Sequence, residues 1–160
     1  MSTHSLTVVK DGPHTLVSMY KQCDGSPEGY GYDLAKFLAK VRITNGVVTD
    51  DREKLGSTAN TPLCLAAQIV AKFKEGAGEV YLQPPWEEGE DMYVSYAYLI
   101  SCHEDDLHVR VLERTFDEAE DRRVMFEGNV KDFKAFCQKH YRREAARWRR
   151  LQKKHAAAEA

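Results

Sequence analysis

The chain has 160 residues, 42% of them hydrophobic and 30% charged. That is enough apolar material to close one core of ordinary domain size, which excludes wholesale disorder, and no apolar run reaches the roughly 18–20 residues of a membrane span. The formal net charge of −2 conceals a split: residues 131–160 hold ten basic and three acidic side chains, whereas residues 1–130 hold thirteen basic and twenty-two acidic ones, so an acidic body precedes a basic arm.

The first residues, Met1 to Leu6, lack the charged start and apolar block of a secretion signal, so a cytoplasmic location with no membrane contact is expected. The four cysteines, Cys23, Cys64, Cys102 and Cys137, are evenly spread without a Cys-x-x-Cys pair. They are expected to be free and mostly buried rather than a disulfide or zinc framework.

Leu6 to Val9 and Thr15 to Tyr20 are β-branched and apolar stretches around Asp11-Gly12-Pro13, which predicts a β-hairpin. Residues 22–31 hold three glycines, a proline and an aspartate and predict a loop. Leu34, Ala35, Phe37, Leu38 and Val41 then fall at helical spacing. Asn45-Gly46 marks a turn, and residues 49–61 are polar and predicted irregular. Thr61-Pro62 predicts a helix start, with a capping hydroxyl and proline in the first turn. Leu63, Cys64, Ala66, Ala67, Ile69, Val70 and Phe73 make that helix broadly apolar, and it is expected to be the most buried one, closed by Gly76 and Gly78.

Val80 to Leu82 predicts a short strand, residues 83–91 an acidic loop, and Met92 to Ile100 the longest strand. His103 to Asp106 predicts a solvated turn. His108 to Arg114 predicts the next antiparallel strand, and Arg122 to Phe126 a short edge strand. From Asn129, a predicted N-cap, the chain reads as one helix with Phe133, Phe136, Cys137, Tyr141, Ala145, Trp148 and Leu151 on one stripe. The expected architecture is α+β: a mainly antiparallel sheet of five or six strands with about three helices on one face, the last long and basic. Its parts are an acidic body (1–128), a basic helix (129–155), packed on or projecting from the body, and a frayed tail (156–160).

Two places attract functional readings. In the first, Gly25, Gly29 and Gly31 precede a helix start, where N–H groups favour an anion, and Gln22, Asp24, Glu28, Tyr30 and Tyr32 offer polar atoms. Asn60 and Thr61, at the start of the next helix, would face this loop across a groove if both helices leave the same sheet edge. A nucleotide or another anion is the ligand class. The Gly-x-x-x-x-Gly-Lys-Ser/Thr pattern of a phosphate-binding loop is absent. The competing reading is a tight strand-to-helix connection with Asp33 capping the helix. In the second place, Arg142, Arg143, Arg147 and Arg150 surround Trp148 on the final helix. Arginines grip carboxylates and phosphates, and an exposed tryptophan anchors protein contacts. The acidic body disfavours nucleic acid; self-association and pairing with the chain's own body stay open.

Catalysis is disfavoured. Cys102 and His103 are neighbours in a predicted strand and point to opposite faces. No Gly-x-Ser-x-Gly elbow, His-Glu-x-x-His or Cys/His metal spacing occurs, so no cofactor or metal is expected.

Ser5 to Val9, followed by Met19-Tyr20-Lys21-Gln22-Cys23-Asp24-Gly25-Ser26-Pro27-Glu28-Gly29-Tyr30-Gly31, resembles a group of small uncharacterised proteins of bacteriophage and bacterial genomes. Their pattern is an N-terminal hairpin, then Tyr-x-Gln-x-Asp-Gly-x-Pro-x-Gly-x-Gly and a helix. Ser26 stands where those sequences more often show tyrosine. The resemblance covers about 40 residues and implies a phage-type accessory protein acting in a host cell. The resulting expectation is a non-enzymatic binding protein that engages and inhibits a host macromolecule with an acidic surface, in host defence. The alternative is a small-ligand binder using the Gly25 to Gly31 loop.

Overall fold

The computed structural model describes residues 2–46, 57–91, 93–103, 106–115 and 122–158, with side chains to residue 152. The hairpin forms as expected from β1 (Ser5–Asp11) and β2 (His14–Lys21). Its two-residue connection needs a left-handed residue at the first central position, and Gly12 supplies it at φ +54°. After a tight loop come α1 (Tyr32–Leu38) and β3 (Arg42–Thr44), then β4 (Thr58–Asn60), α2 (Thr61–Phe73) and β5 (Val80–Gln83). The chain continues through β6 (Tyr96–His103), β7 (Asp106–Arg114), β8 (Arg122–Asn129) and α3 (Val130–Ala158).

Six strands make one sheet in the order β5-β2-β1-β6-β7-β8. Every junction is antiparallel except β1 against β6, which is parallel with Val8 opposite Leu99. The α+β reading with a mainly antiparallel sheet is therefore correct. β3 and β4 form a separate parallel pair, which has no sequence signature because three-residue strands leave too little periodicity to detect. Residues 49–56 of the expected irregular stretch lie outside the described residues, but Thr58 to Asn60 are strand. The longest strand candidate is shifted: β6 starts at Tyr96 rather than Met92 and runs on to His103.

The three α-helices among the described residues pack on one face of the sheet. Leu34 and Leu38 from α1, Leu65 and Ile69 from α2, and Phe133 and Cys137 from α3 join Tyr98, Ile100, Val109 and Val111 in one core. The other face is covered by the β5–β6 connection, whose Trp86 and Val94 close over Leu6, Val8, Ala97, Leu99 and Leu112. β1 lies between these two layers, so Ser5, Leu6, Thr7, Val8 and Val9 are all buried. The acidic loop is held down by the body's own cations. Lys10 pairs with Glu87 at 2.8 Å, Arg110 with Glu88, and Arg122 donates to the Glu88 and Glu90 carbonyls. Much of that charge is spent on covering the sheet.

Helix α2 is one-sided: Leu65, Ala66 and Ile69 are buried while Leu63 is exposed. Two caps differ from expectation. Thr61 makes no side-chain cap; Asn60 is the N-cap residue, and its Oδ1 accepts instead from the Gly46 N–H at 2.9 Å. Asp33 lies inside α1 and pairs with Lys36 at 2.7 Å. The cap of α3 is as expected, since Asn129 Oδ1 accepts from the Asp132 N–H at 2.9 Å. Cys137 is buried, whereas Cys23, Cys64 and Cys102 are only half-buried; all four are free thiols.

Candidate binding surfaces

The glycine loop is built by close approach. Residues Pro27–Gly31 form a wide turn kinked at Gly29, whose backbone is not helical (φ −97°, ψ −106°), leading into α1, with proline at its start. A β-carbon on Gly25 would lie 2.6 Å from Ser5 Cβ and 2.7 Å from the Ser5 backbone nitrogen. One on Gly31 would lie 2.7 Å from the Tyr98 hydroxyl, which donates to the Gly25 carbonyl at 2.9 Å. The N–H groups are largely committed within the protein. Gly25 donates to the Thr3 carbonyl, Tyr30 to the Asp24 carbonyl, and Gly29 and Gly31 to the Ser26 carbonyl. Asp24, with φ +56°, turns the chain, and Gln22 donates its N–H to the Glu79 carbonyl.

Tyr30 is a core residue. Its hydroxyl shares a 2.7 Å hydrogen bond with Thr7 Oγ1, and its ring meets Phe73 and Tyr98 edge-on at 4.9 and 5.6 Å. Burial pushes its hydroxyl well above the ordinary tyrosine pKa. Tyr32 stacks on Tyr141 of α3 with ring centroids 5.3 Å apart and 19° between planes.

The structure does not bring Asn60 and Thr61 to this loop. The loop faces the C-terminal end of α2, where Lys72 and Phe73 lie, across a cleft of about 680 Å³. Asn60 and Thr61 are at the other end of a 13-residue helix, about 18–20 Å away at 1.5 Å per residue. Sequence reasoning missed the cleft's lysines and phenylalanines. A lysine near a helix C-terminus is ordinary, and only the packing of α2 beside α1 joins these residues.

Helix α3 docks by its first turns and then outruns the body. Phe133 and Cys137 are fully buried, Phe136 is half-buried against Phe126 at 5.2 Å, and Tyr141 rests on Tyr32. Further along the same stripe Trp148 is 63% exposed and Leu151 40%. Arg143, Arg147 and Arg150, spaced four and three apart, line one shallow groove with Leu151, and Arg142 and Arg149 lie toward the other edge of the stripe; all five are exposed. Among the described residues Arg147 pairs with Glu144 at 3.5 Å. The two candidate places meet: Asp24, Glu28 and Gly29 of the loop and Tyr141, Glu144 and Trp148 of α3 line one shallow cleft of about 390 Å³.

No group of three or more His, Cys, Asp or Glu among the described residues is arranged to hold a metal ion, and no helix there is long and apolar enough to cross a membrane. His103 and Cys102 both lie on β6. Burial raises the Cys102 thiol to about 11, with Asp11 adding to the effect, so it is a thiol rather than a nucleophilic thiolate at neutral pH. Comparison of the chain with protein-family models, curated proteins and solved structures finds no match.

Proposed function

We propose that the chain is a non-enzymatic binding protein that engages an acidic surface of a partner protein through the overshooting half of α3. One observation carries this reading: the apolar stripe that docks α3 on the body continues along the helix as Trp148 and Leu151, both exposed, and Arg143, Arg147 and Arg150 line one shallow groove with Leu151. An amphipathic helix with anchors at helical spacing inserts into an apolar groove, and arginines beside the stripe select a carboxylate rim. The acidic body argues against nucleic acid, because the field that surrounds α3 repels a phosphate backbone. Pairing of α3 with a second α3 would set arginine against arginine, so a different acidic surface fits better. A phage-type accessory protein that inhibits host defence is the setting given by the resemblance of the first 40 residues alone.

The test is quantitative. A partner recovered with the full-length chain from bacterial lysate is purified and titrated against wild type and two variants by calorimetry. Arg143→Glu/Arg147→Glu/Arg150→Glu is expected to weaken binding by about 100-fold or more, and Trp148→Ala by about 30-fold, in line with buried charge pairs and aromatic anchors. Binding of the triple variant at wild-type affinity overturns the reading.

A further inference from the structure

The cleft between the glycine loop, α1 and the end of α2 has a chemistry of its own, separate from α3. At about 680 Å³ it falls within the roughly 300–1,000 Å³ range of small-molecule sites. Phe37 and Phe73 are half-buried on its wall, edge-on to each other at 6.1 Å, above the buried ring of Tyr30. Lys21, on the last position of β2, has a side chain only 16% exposed, yet the nearest carboxylate oxygen, on Glu79, is 4.0 Å away. That is beyond hydrogen-bond distance. Its ammonium lies 5.8 Å from the Tyr30 ring centroid and lines the cleft. The ammonium has no hydrogen-bond acceptor among the described residues and opens onto the cleft, so it is available to an anion there.

Lys40 and Lys72 reach the same cleft, and neither has a carboxylate within ion-pair distance among the described residues. Lys36 is committed to Asp33. Three available ammoniums match a phosphate dianion better than a single carboxylate. The wall also carries Asp24 and Glu75, which would weaken a polyanion but accept hydrogen bonds from hydroxyl or amino groups. Phenylalanine edges and faces give a surface for a flat ring.

We infer that this cleft binds a mononucleotide-like ligand: a flat aromatic ring on Phe37 and Phe73, one phosphate on Lys21 with Lys40 and Lys72, and donors of the sugar or base on Asp24 and Glu75. The glycine loop contributes the wall and the position of Asp24 rather than a cradle of N–H groups.

Calorimetric titration of the full chain with the four ribonucleoside 5′-monophosphates, with adenosine and with inorganic phosphate tests it. At least one mononucleotide is expected to bind below about 1 mM, and at least tenfold tighter than adenosine or inorganic phosphate. Lys21→Met keeps the aliphatic stem and is expected to lose about tenfold, the scale of one charge-assisted hydrogen bond. Glu79→Gln removes a competing carboxylate and is expected to tighten binding. If Lys21→Met lowers the melting temperature, Lys72→Ala, near the end of α2, serves in its place with the same expected loss. No binding of any mononucleotide at 5 mM overturns the inference, as does equal affinity for inorganic phosphate, or unchanged affinity in both lysine variants. Because α3 is untouched in these variants, failure here leaves the partner reading standing, and failure of that reading leaves this one.

Discussion

The two halves of α3 carry the same stripe with opposite fates. Phe133 and Cys137 at the root are fully buried, whereas Trp148 and Leu151, on the same side of the helix, face solvent. The difference lies in what stands opposite. The root meets Phe126 of β8, Tyr98 of β6 and the wide turn of residues 27–31; beyond Tyr141 the described body offers only the rim of the loop around Glu28. Periodicity thus reports that a helix face seeks apolar company without saying whether that company is in the same chain.

Breaking the root gives the largest expected effect. Phe133→Ala opens a cavity between α3 and the sheet and is expected to cost about 3–5 kcal/mol, within the range for buried aromatics. Trp148→Ala removes a larger side chain from the same stripe and is expected to move stability by no more than about 0.5 kcal/mol. Urea denaturation of the two variants checks this. Comparable losses would show that Trp148 is docked in solution, and the division of α3 would then be wrong.

The next effect sharpens what the root stands on. The turn beneath α3 exists because Gly25 lets the loop touch β1 at Ser5 and Gly31 lets it touch Tyr98. Gly25→Ala places a methyl against the Ser5 backbone, which cannot swing aside, and is expected to cost about 1–3 kcal/mol. Gly76→Ala meets no atom within 4 Å and is expected to be neutral within about 0.5 kcal/mol. Equal melting temperatures for the two variants would show that the loop yields freely.

These glycines also mark how far the sequence was readable. The hairpin, β5, β7, β8 and α3 follow from alternation, turn residues and helical spacing, all local signals. A glycine-rich loop before a helix reads the same whether its N–H groups await a ligand or are bonded to Ser26 and Thr3. The distinction depends on β6, some 70 residues away, whose Tyr98 fills the space that Gly31 leaves open. Grouping Asn60 and Thr61 with that loop assumed a helix direction that local pattern does not encode. The cleft lysines were equally invisible: Lys21 on β2, Lys40 in the turn after α1 and Lys72 on α2 are joined only by packing.

A smaller effect separates the halves of α3 by titration. Burial, with Glu28 adding to it, pushes the Cys137 thiol up to about 12 from an ordinary value near 9. The folded state holds the neutral thiol, whereas the unfolded chain releases its proton from about pH 9 upward. The stability that Cys137 contributes is therefore complete below pH 9 and is lost as pH rises from 9 to about 12, at roughly 1.4 kcal/mol per pH unit once the unfolded thiol is ionised. Tyr98 and Tyr30, raised by the same burial, add to the loss above pH 10. Urea midpoints at pH 8, 9 and 10 are expected to fall in that order, and Cys137→Ala, though less stable throughout, is expected to fall less steeply between pH 9 and 10. A trimmed chain ending at Arg142 keeps Cys137 and Tyr141 and should retain the wild-type pH dependence. If Cys137→Ala kept the full slope, or if trimming flattened it, the root would not be the buried half of the helix.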